Sequence, residues 1–333
     1  MSRIGAYKAQ FSCLSPLTTA PCVATTTIDA LKAAAATLVT STTSCTVTTA
    51  CQCELDAAKA DISTDAKKCT AYKAQFSCLS PLTTAPCVAT TTIDALKAAA
   101  ATSVTSTTSC SVTTACQCEL DAAKADISTD AKKCTAYKAE YACLYPLTTA
   151  PCVSGTDIAG LKTTVATSVT STTSCTFDDT CVCQRAYDAA TKGTPAEQCA
   201  AYKTELSCLR TAQSSGCDST TAKSAIATTA ETARAALAVG DCPALSATCQ
   251  CEVDAAKGDA STSAKYCTVL TTLKTCLSAI TTTTQKGCNS TTQAALVTDT
   301  ETKITAAKCG SFADHVTYTM TSLVVPVLVH LFM

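Results

Sequence analysis

A register of cysteines that repeats along the chain restricts its fold more than any other feature. Counting from Cys69, the order is Cys69, Cys78, Cys87, Cys110, Cys116 and Cys118. It recurs at Cys134, Cys143, Cys152, Cys175, Cys181 and Cys183, and again at Cys199, Cys208, Cys217, Cys242, Cys249 and Cys251. The residues between them repeat too: residues 71–135 reproduce residues 6–70 except that Ser103 stands for Leu38 and Ser111 for Thr46. Self-similarity at a fixed spacing, here 65 residues, is the signature of a tandem array. The predicted organisation is module 1 at 1–68, truncated at its N-terminus, module 2 at 69–133, module 3 at 134–198 and module 4 at 199–266. A partial module 5 follows at 267–310, then a terminal signal at 311–333.

Cysteine accounts for 27 of 333 residues, a density that points to an oxidising, extracellular address. Six cysteines per module allow three bridges, each worth ~2–4 kcal/mol. A module needs them because its large apolar residues are few: Tyr72, Phe76, Leu79, Leu82, Ile93, Leu96, Val104 and Leu120. The pairs Cys51/Cys53, Cys116/Cys118, Cys181/Cys183 and Cys249/Cys251 have the soft sulfur that suits zinc or copper(I). Their neighbouring cysteines are not at metal-site spacing and no histidine lies nearby, so disulfides are expected and no metal.

Helix signals dominate the module. Lys192-Gly193-Thr194-Pro195-Ala196-Glu197 closes one helix with glycine and opens the next with a capping box and a proline at the first position. The aligned Thr64, Thr129 and Thr262 mark the same start, and Pro16, Pro81 and Pro146 mark the end. Cys134, Tyr137, Tyr141 and Leu144 form the apolar face of this helix. A second helix follows a cap at Thr91 or Thr156 and carries Ile93, Leu96, Ala100 and Val104. A third opens near Thr113, or at Asp178 and Asp179, and holds the C-x-C pair. Threonine, about a fifth of the chain, favours strands by propensity, yet no stretch alternates with period two. The expected fold is all-α, a tandem array of small disulfide-rich three-helix modules.

Helical geometry constrains the bridges without fixing them. Cys134 and Cys143 are separated by roughly 180° around their helix and must bond different partners. Cys116 and Cys118 also diverge, so each is expected to find its own. Six cysteines still allow on the order of fifteen pairings. The fifth module keeps Cys267, Cys276, Cys288 and Cys309 but has no C-x-C pair, so closure among those four requires a different connectivity.

Little here points to catalysis. The two histidines, His315 and His330, fall in the terminal signal, and a mature chain without them has no general base near neutral pH. Glu119-Leu-Asp121 and Glu54-Leu-Asp56 place carboxylates two apart on a helix, where they diverge and read as a solvated face. No catalytic residue and no cofactor are expected. Net charge is -1 with lysine and arginine spread evenly, which argues against nucleic acid.

At the N-terminus Ile4 stands where other copies carry Cys69, Cys134 and Cys199. The expectation is that the true start and signal peptide lie upstream. At the C-terminus Gly310-Ser311-Phe312-Ala313, a polar spacer and the apolar stretch Leu323–Met333 resemble a GPI-anchor signal, with Ser311 the attachment site. That stretch is too short to span a bilayer core of ~30 Å as a helix, which needs roughly 20 residues. Asn289-Ser290-Thr291 is an N-glycosylation sequon.

The expected function is that of an extracellular, GPI-anchored, cysteine-rich repeat protein of the plasma-membrane surface, with a structural, adhesive or recognition role. Its partner would be an extracellular protein, glycan or lipid ligand. The alternative is a carrier of small apolar ligands or lipids. A helical disulfide-bonded module with a C-x-C pair is distantly similar to plant lipid-transfer proteins, whose helices enclose a lipid tunnel. The likeness is confined to the C-x-C element, since the adjacent Cys-Cys pair of that family is absent here.

Overall fold

Threonine sets where most of the helices begin. The computed structural model describes residue 10 and residues 27–41, 47–83, 87, 91–152 and 155–309. Ile4, Pro16, Ser311, His315, His330 and the Leu323–Met333 stretch lie outside the described residues. The chain divides into two compact units, Met1–Thr176 and Phe177–Met333.

The first unit contains α1 (Ile28–Ser41), α2 (Thr49–Lys59), α3 (Asp65–Leu79), α4 (Ile93–Ser106), α5 (Thr114–Lys124), α6 (Asp130–Leu144) and α7 (Ile158–Ser171). The second contains α8 (Asp179–Ala189), α9 (Pro195–Leu209), α10 (Lys223–Ala235), α11 (Ala247–Lys257), α12 (Ser263–Ser278) and α13 (Gln293–Ala306). The described residues form no strand; Lys286 and Thr292 make an isolated bridge. The fold is all-helical and rich in disulfides.

Local chemistry explains the helix starts. Thr64, Thr129 and Thr262 each accept the backbone N–H three residues on, from Lys67, Lys132 and Lys265. Thr194 and Glu197 make a reciprocal capping box behind Pro195. The caps of α4 and α7 are Thr92 and Asp157, one residue after the predicted Thr91 and Thr156. From there the side-chain oxygens reach the N–H groups of Ala95 and Gly160. Thr113 caps α5 through the Cys116 N–H.

Threonine inside the helices is reconciled with its strand propensity by back-bonding. The hydroxyls of Thr102, Thr105 and Thr135 donate to the carbonyls of Ala98, Ala101 and Ala131 at 2.8, 3.1 and 3.0 Å. Each polar group is thus satisfied one turn back without help from a neighbouring chain segment.

The cores are small. In the first unit Phe76, Leu79, Ala100, Ala101, Val104 and Leu120 pack together; in the second, Leu206, Leu209, Ile226, Ala227 and Val253 do so. Alanines at the contacts let helices approach closely, and the bonds between cysteines supply what so few large side chains cannot. Tyr141 and Leu144 of the predicted apolar face are buried, whereas Tyr137 and Cys134 are half-buried.

Those bonds come in sets of three. Cys51–Cys87, Cys53–Cys78 and Cys69–Cys110 form the first set. Cys116–Cys152, Cys118–Cys143 and Cys134–Cys175 form the second. Cys181–Cys217, Cys183–Cys208 and Cys199–Cys242 follow, then Cys249–Cys288, Cys251–Cys276 and Cys267–Cys309. The two cysteines of each C-x-C helix diverge, one to the next helix and one to the loop after it. The next helix uses its opposite sides in turn: Cys143 reaches back to α5 and Cys134 forward to the residues after α7.

Covalent units therefore start at the C-x-C helix, running Cys51–Cys110, Cys116–Cys175, Cys181–Cys242 and Cys249–Cys309. The bond Cys53–Cys78 joins residues on either side of position 68. Likewise Cys276 and Cys288, assigned from sequence to a truncated fifth module, bond the C-x-C pair of α11, so those four cysteines do not close among themselves.

Candidate functional site

The residue immediately after each C-x-C pair is a buried hydrogen-bond acceptor. Glu54, Glu119, Gln184 and Glu252 accept the backbone N–H of Cys87, Cys152, Cys217 and Cys288 at 2.7, 2.5, 2.6 and 2.5 Å. The loop cysteine is thus held twice, through its sulfur and through its amide. This corrects the reading of Glu119 and Asp121 as a solvated face: Glu119 is 3% exposed and Glu54 4%, while Asp121 and Asp56 are exposed. The sequence signal was available in the register itself, because Gln184 conserves the acceptor oxygen while losing the charge.

The second carboxylate oxygen differs between units. In Glu54 and Glu119 it is buried with no partner. In Glu252 both oxygens are used, one accepting from Cys288 and the other from the Ser207 hydroxyl at 2.6 Å. Arg210 adds its charge 3.7 Å away and pairs with Asp299 at 2.7 Å.

Burial raises the Glu119 pKa to about 7, with the Cys152 N–H opposing. Glu140 on α6 is pushed up to about 8, by burial first and then by the Glu119 charge, while Lys97 on α4 pulls it back. Burial lowers Lys97, against the attraction of Asp94 and Glu140. Glu140 has register equivalents in Gln75, Glu205 and Leu273. Glu205 is buried and raised to about 7, by burial first and by Asp188 next. Only the second covalent unit places an acid at both positions, and there burial among α4, α5 and α6 raises both carboxyls above the ordinary carboxylate range.

A cavity of about 460 Å³ opens between α11 and α12. Its floor is the Cys251–Cys276 bond with Ala255, Val269 and Leu273, and Asp254, Asp259 and Lys265 stand at its rim. The third unit has aromatic side chains instead: Tyr187 stacks on Tyr202 with ring centroids 5.1 Å apart, Lys192 lies 4.0 Å above the Tyr187 ring, and Arg185 lies 4.1 Å above Phe177.

Every cysteine named from the sequence as a bridge former is bonded to another. Cys249, Glu252 and Cys288 bring ligand atoms within 4.8 Å of one another. The two sulfurs are joined to each other and the carboxylate is hydrogen-bonded, so the group has no thiolate for a metal. Asn289 is exposed in the loop between α12 and α13, its side-chain oxygen accepting the Thr291 N–H at 3.2 Å. Among the described residues no helix is long and apolar enough to cross a membrane. The disulfide density is consistent with an extracellular cysteine-rich protein. No family model, curated protein or solved structure matches this chain.

Proposed function

We propose that this chain is a surface protein built from tandem three-helix modules at a 65-residue spacing. Ser311 attaches it to a GPI anchor in the plasma membrane, and its role is structural, adhesive or in recognition. The observation that supports this most is the succession of four interlocked disulfide triplets in a chain with few large apolar residues. Such units suit an oxidising exterior and a molecule displayed as copies of one bead. Repeated units on one anchor raise the effective concentration of weak contacts without any single strong site. Asn289 is exposed and open to glycosylation in this reading. The protein is not an enzyme, and its partners are an extracellular protein, glycan or lipid.

Mass spectrometry of the protein purified from its source tests the anchor. The expected C-terminal peptide ends at Ser311 with an ethanolamine-phosphate linkage, and a mature form that retains Leu323–Met333 rules it out.

A further inference from the structure

We propose that the cavity between α11 and α12 binds a small, uncharged, apolar molecule. Its volume of about 460 Å³ lies within the range of roughly 300–1,000 Å³ in which small-molecule sites fall. Apolar atoms make the floor: a disulfide, Ala255, Val269 and Leu273. The end of the cavity is shaped by Gly258, where an added Cβ would come within 2.6 Å of the Val269 side chain.

The rim explains why the occupant is uncharged. Lys265 pairs with Asp259 at 2.7 Å, and Asp254 is engaged by the Gln250 amide at 2.9 Å and by Lys257 at 3.9 Å. Every rim charge is matched within the chain. A charged ligand would find no counter-ion without breaking one of these pairs, whereas an apolar one leaves them in place.

The sister units show that this floor is particular to the last one. Where Leu273 stands, the others carry Gln75, Glu140 and Glu205; where Val269 stands, they carry Ala71, Ala136 and Ala201. At the Ala255 position the third unit carries Tyr187, whose ring stacks on Tyr202. The same scaffold therefore accepts a carboxylate or a tyrosine at these places, and the last unit combines two larger aliphatic side chains with a small residue opposite them. This site is independent of the anchor and gives the carrier alternative a location in the last unit.

The test uses the full chain with its disulfides intact and N-phenyl-1-naphthylamine, an uncharged fluorescent probe, with 1-decanol as competitor. Saturable binding at one site is expected, displaced by decanol. Leu273→Glu and Ala255→Tyr place in the last unit residues that its sisters already hold, and each is expected to weaken binding at least tenfold while circular dichroism and the count of bonded cysteines stay unchanged. Thr272→Phe, which narrows the cavity from its exposed wall, serves as a third variant if either of these misfolds. Absence of saturable binding overturns the proposal, as does binding that none of the folded variants weakens. Equal affinity for the sulfonated analogue 1-anilinonaphthalene-8-sulfonate overturns the uncharged class. None of these outcomes bears on the anchor, which is read by mass spectrometry alone.

Discussion

Glu252 accepts the backbone N–H of Cys288 at 2.5 Å, 36 residues along the chain. Gln184 makes the corresponding bond to Cys217 at 2.6 Å with no charge at all. The bond therefore depends on an oxygen in that place, and the charge carried by the glutamates is a separate matter with its own consequences.

The first consequence is for Glu252 itself. Glu252→Leu removes the acceptor of the Cys288 N–H and of the Ser207 hydroxyl and leaves Arg210 with Asp299 as its acidic partner. Such a loss costs about 2–4 kcal/mol. Glu252→Gln, which keeps one acceptor, is expected to cost about 1 kcal/mol. Urea unfolding of the two variants checks the order.

Acid should stabilise the first unit. Glu119 and Glu140, whose carboxyls ordinarily titrate near 4.5, are raised to about 7 and about 8 in the folded chain. Below pH 4.5 both states are protonated and the contribution is fully present; as pH rises through 7 to 8 the folded chain must give up protons that the unfolded chain has already released, and the contribution is lost. Glu205, raised to about 7, acts in the same sense in the second unit. Lys223, lowered to about 8 by burial, acts in the opposite sense above that pH, since its folded form sheds a proton that the unfolded chain retains up to 10.5. The melting temperature is expected to be several degrees higher at pH 5 than at pH 8. Glu119→Gln, the residue the third unit carries, should flatten that profile and raise stability at pH 8 by about 1 kcal/mol.

The covalent phase can be tested with fragments. Residues 111–176 contain both halves of Cys116–Cys152, Cys118–Cys143 and Cys134–Cys175. This fragment is expected to fold on oxidation into a helical species with no free thiol. Residues 69–133 retain Cys69–Cys110 but separate Cys78, Cys87, Cys116 and Cys118 from their partners. They should give mixed disulfides and weak helicity. Equal behaviour of the two fragments would mean that the units do not begin at the C-x-C helix.

Reduction should unfold the chain. Each bond contributes ~2–4 kcal/mol against a core of few large side chains. Dithiothreitol at 25 °C is expected to abolish most of the helical circular dichroism signal, and a reduced chain that keeps it would show that the helices pack without their bridges.

How much of this was legible in the sequence depended on distance along the chain. Thr64, Thr129, Thr194 and Thr262 could be read as helix starts because a cap and its partner lie within four residues. The pairing of Cys53 with Cys78 could not, because a periodic sequence carries no mark of where its period begins and six cysteines permit many pairings. Burial of Glu119 was harder to read for a similar reason: its partner, the Cys152 N–H, is 33 residues away and charge alone argued for water, so that the uncharged Gln184 in the same register was the sign of it in the sequence. The α11–α12 cavity becomes visible only once Leu273 is set against Glu140 and Glu205 within a known helix pairing.

The overlap of Cys51–Cys87 with Cys69–Cys110 has one more effect. Every peptide bond from 51 to 110 lies inside at least one closed ring, so a single proteolytic cut there opens a loop and releases nothing. The short stretches after Cys110, Cys175 and Cys242 are spanned by no bond among the described cysteines. A single cut inside a bead therefore leaves its two pieces joined, whereas a single cut in one of these stretches parts neighbouring beads with their three bridges closed.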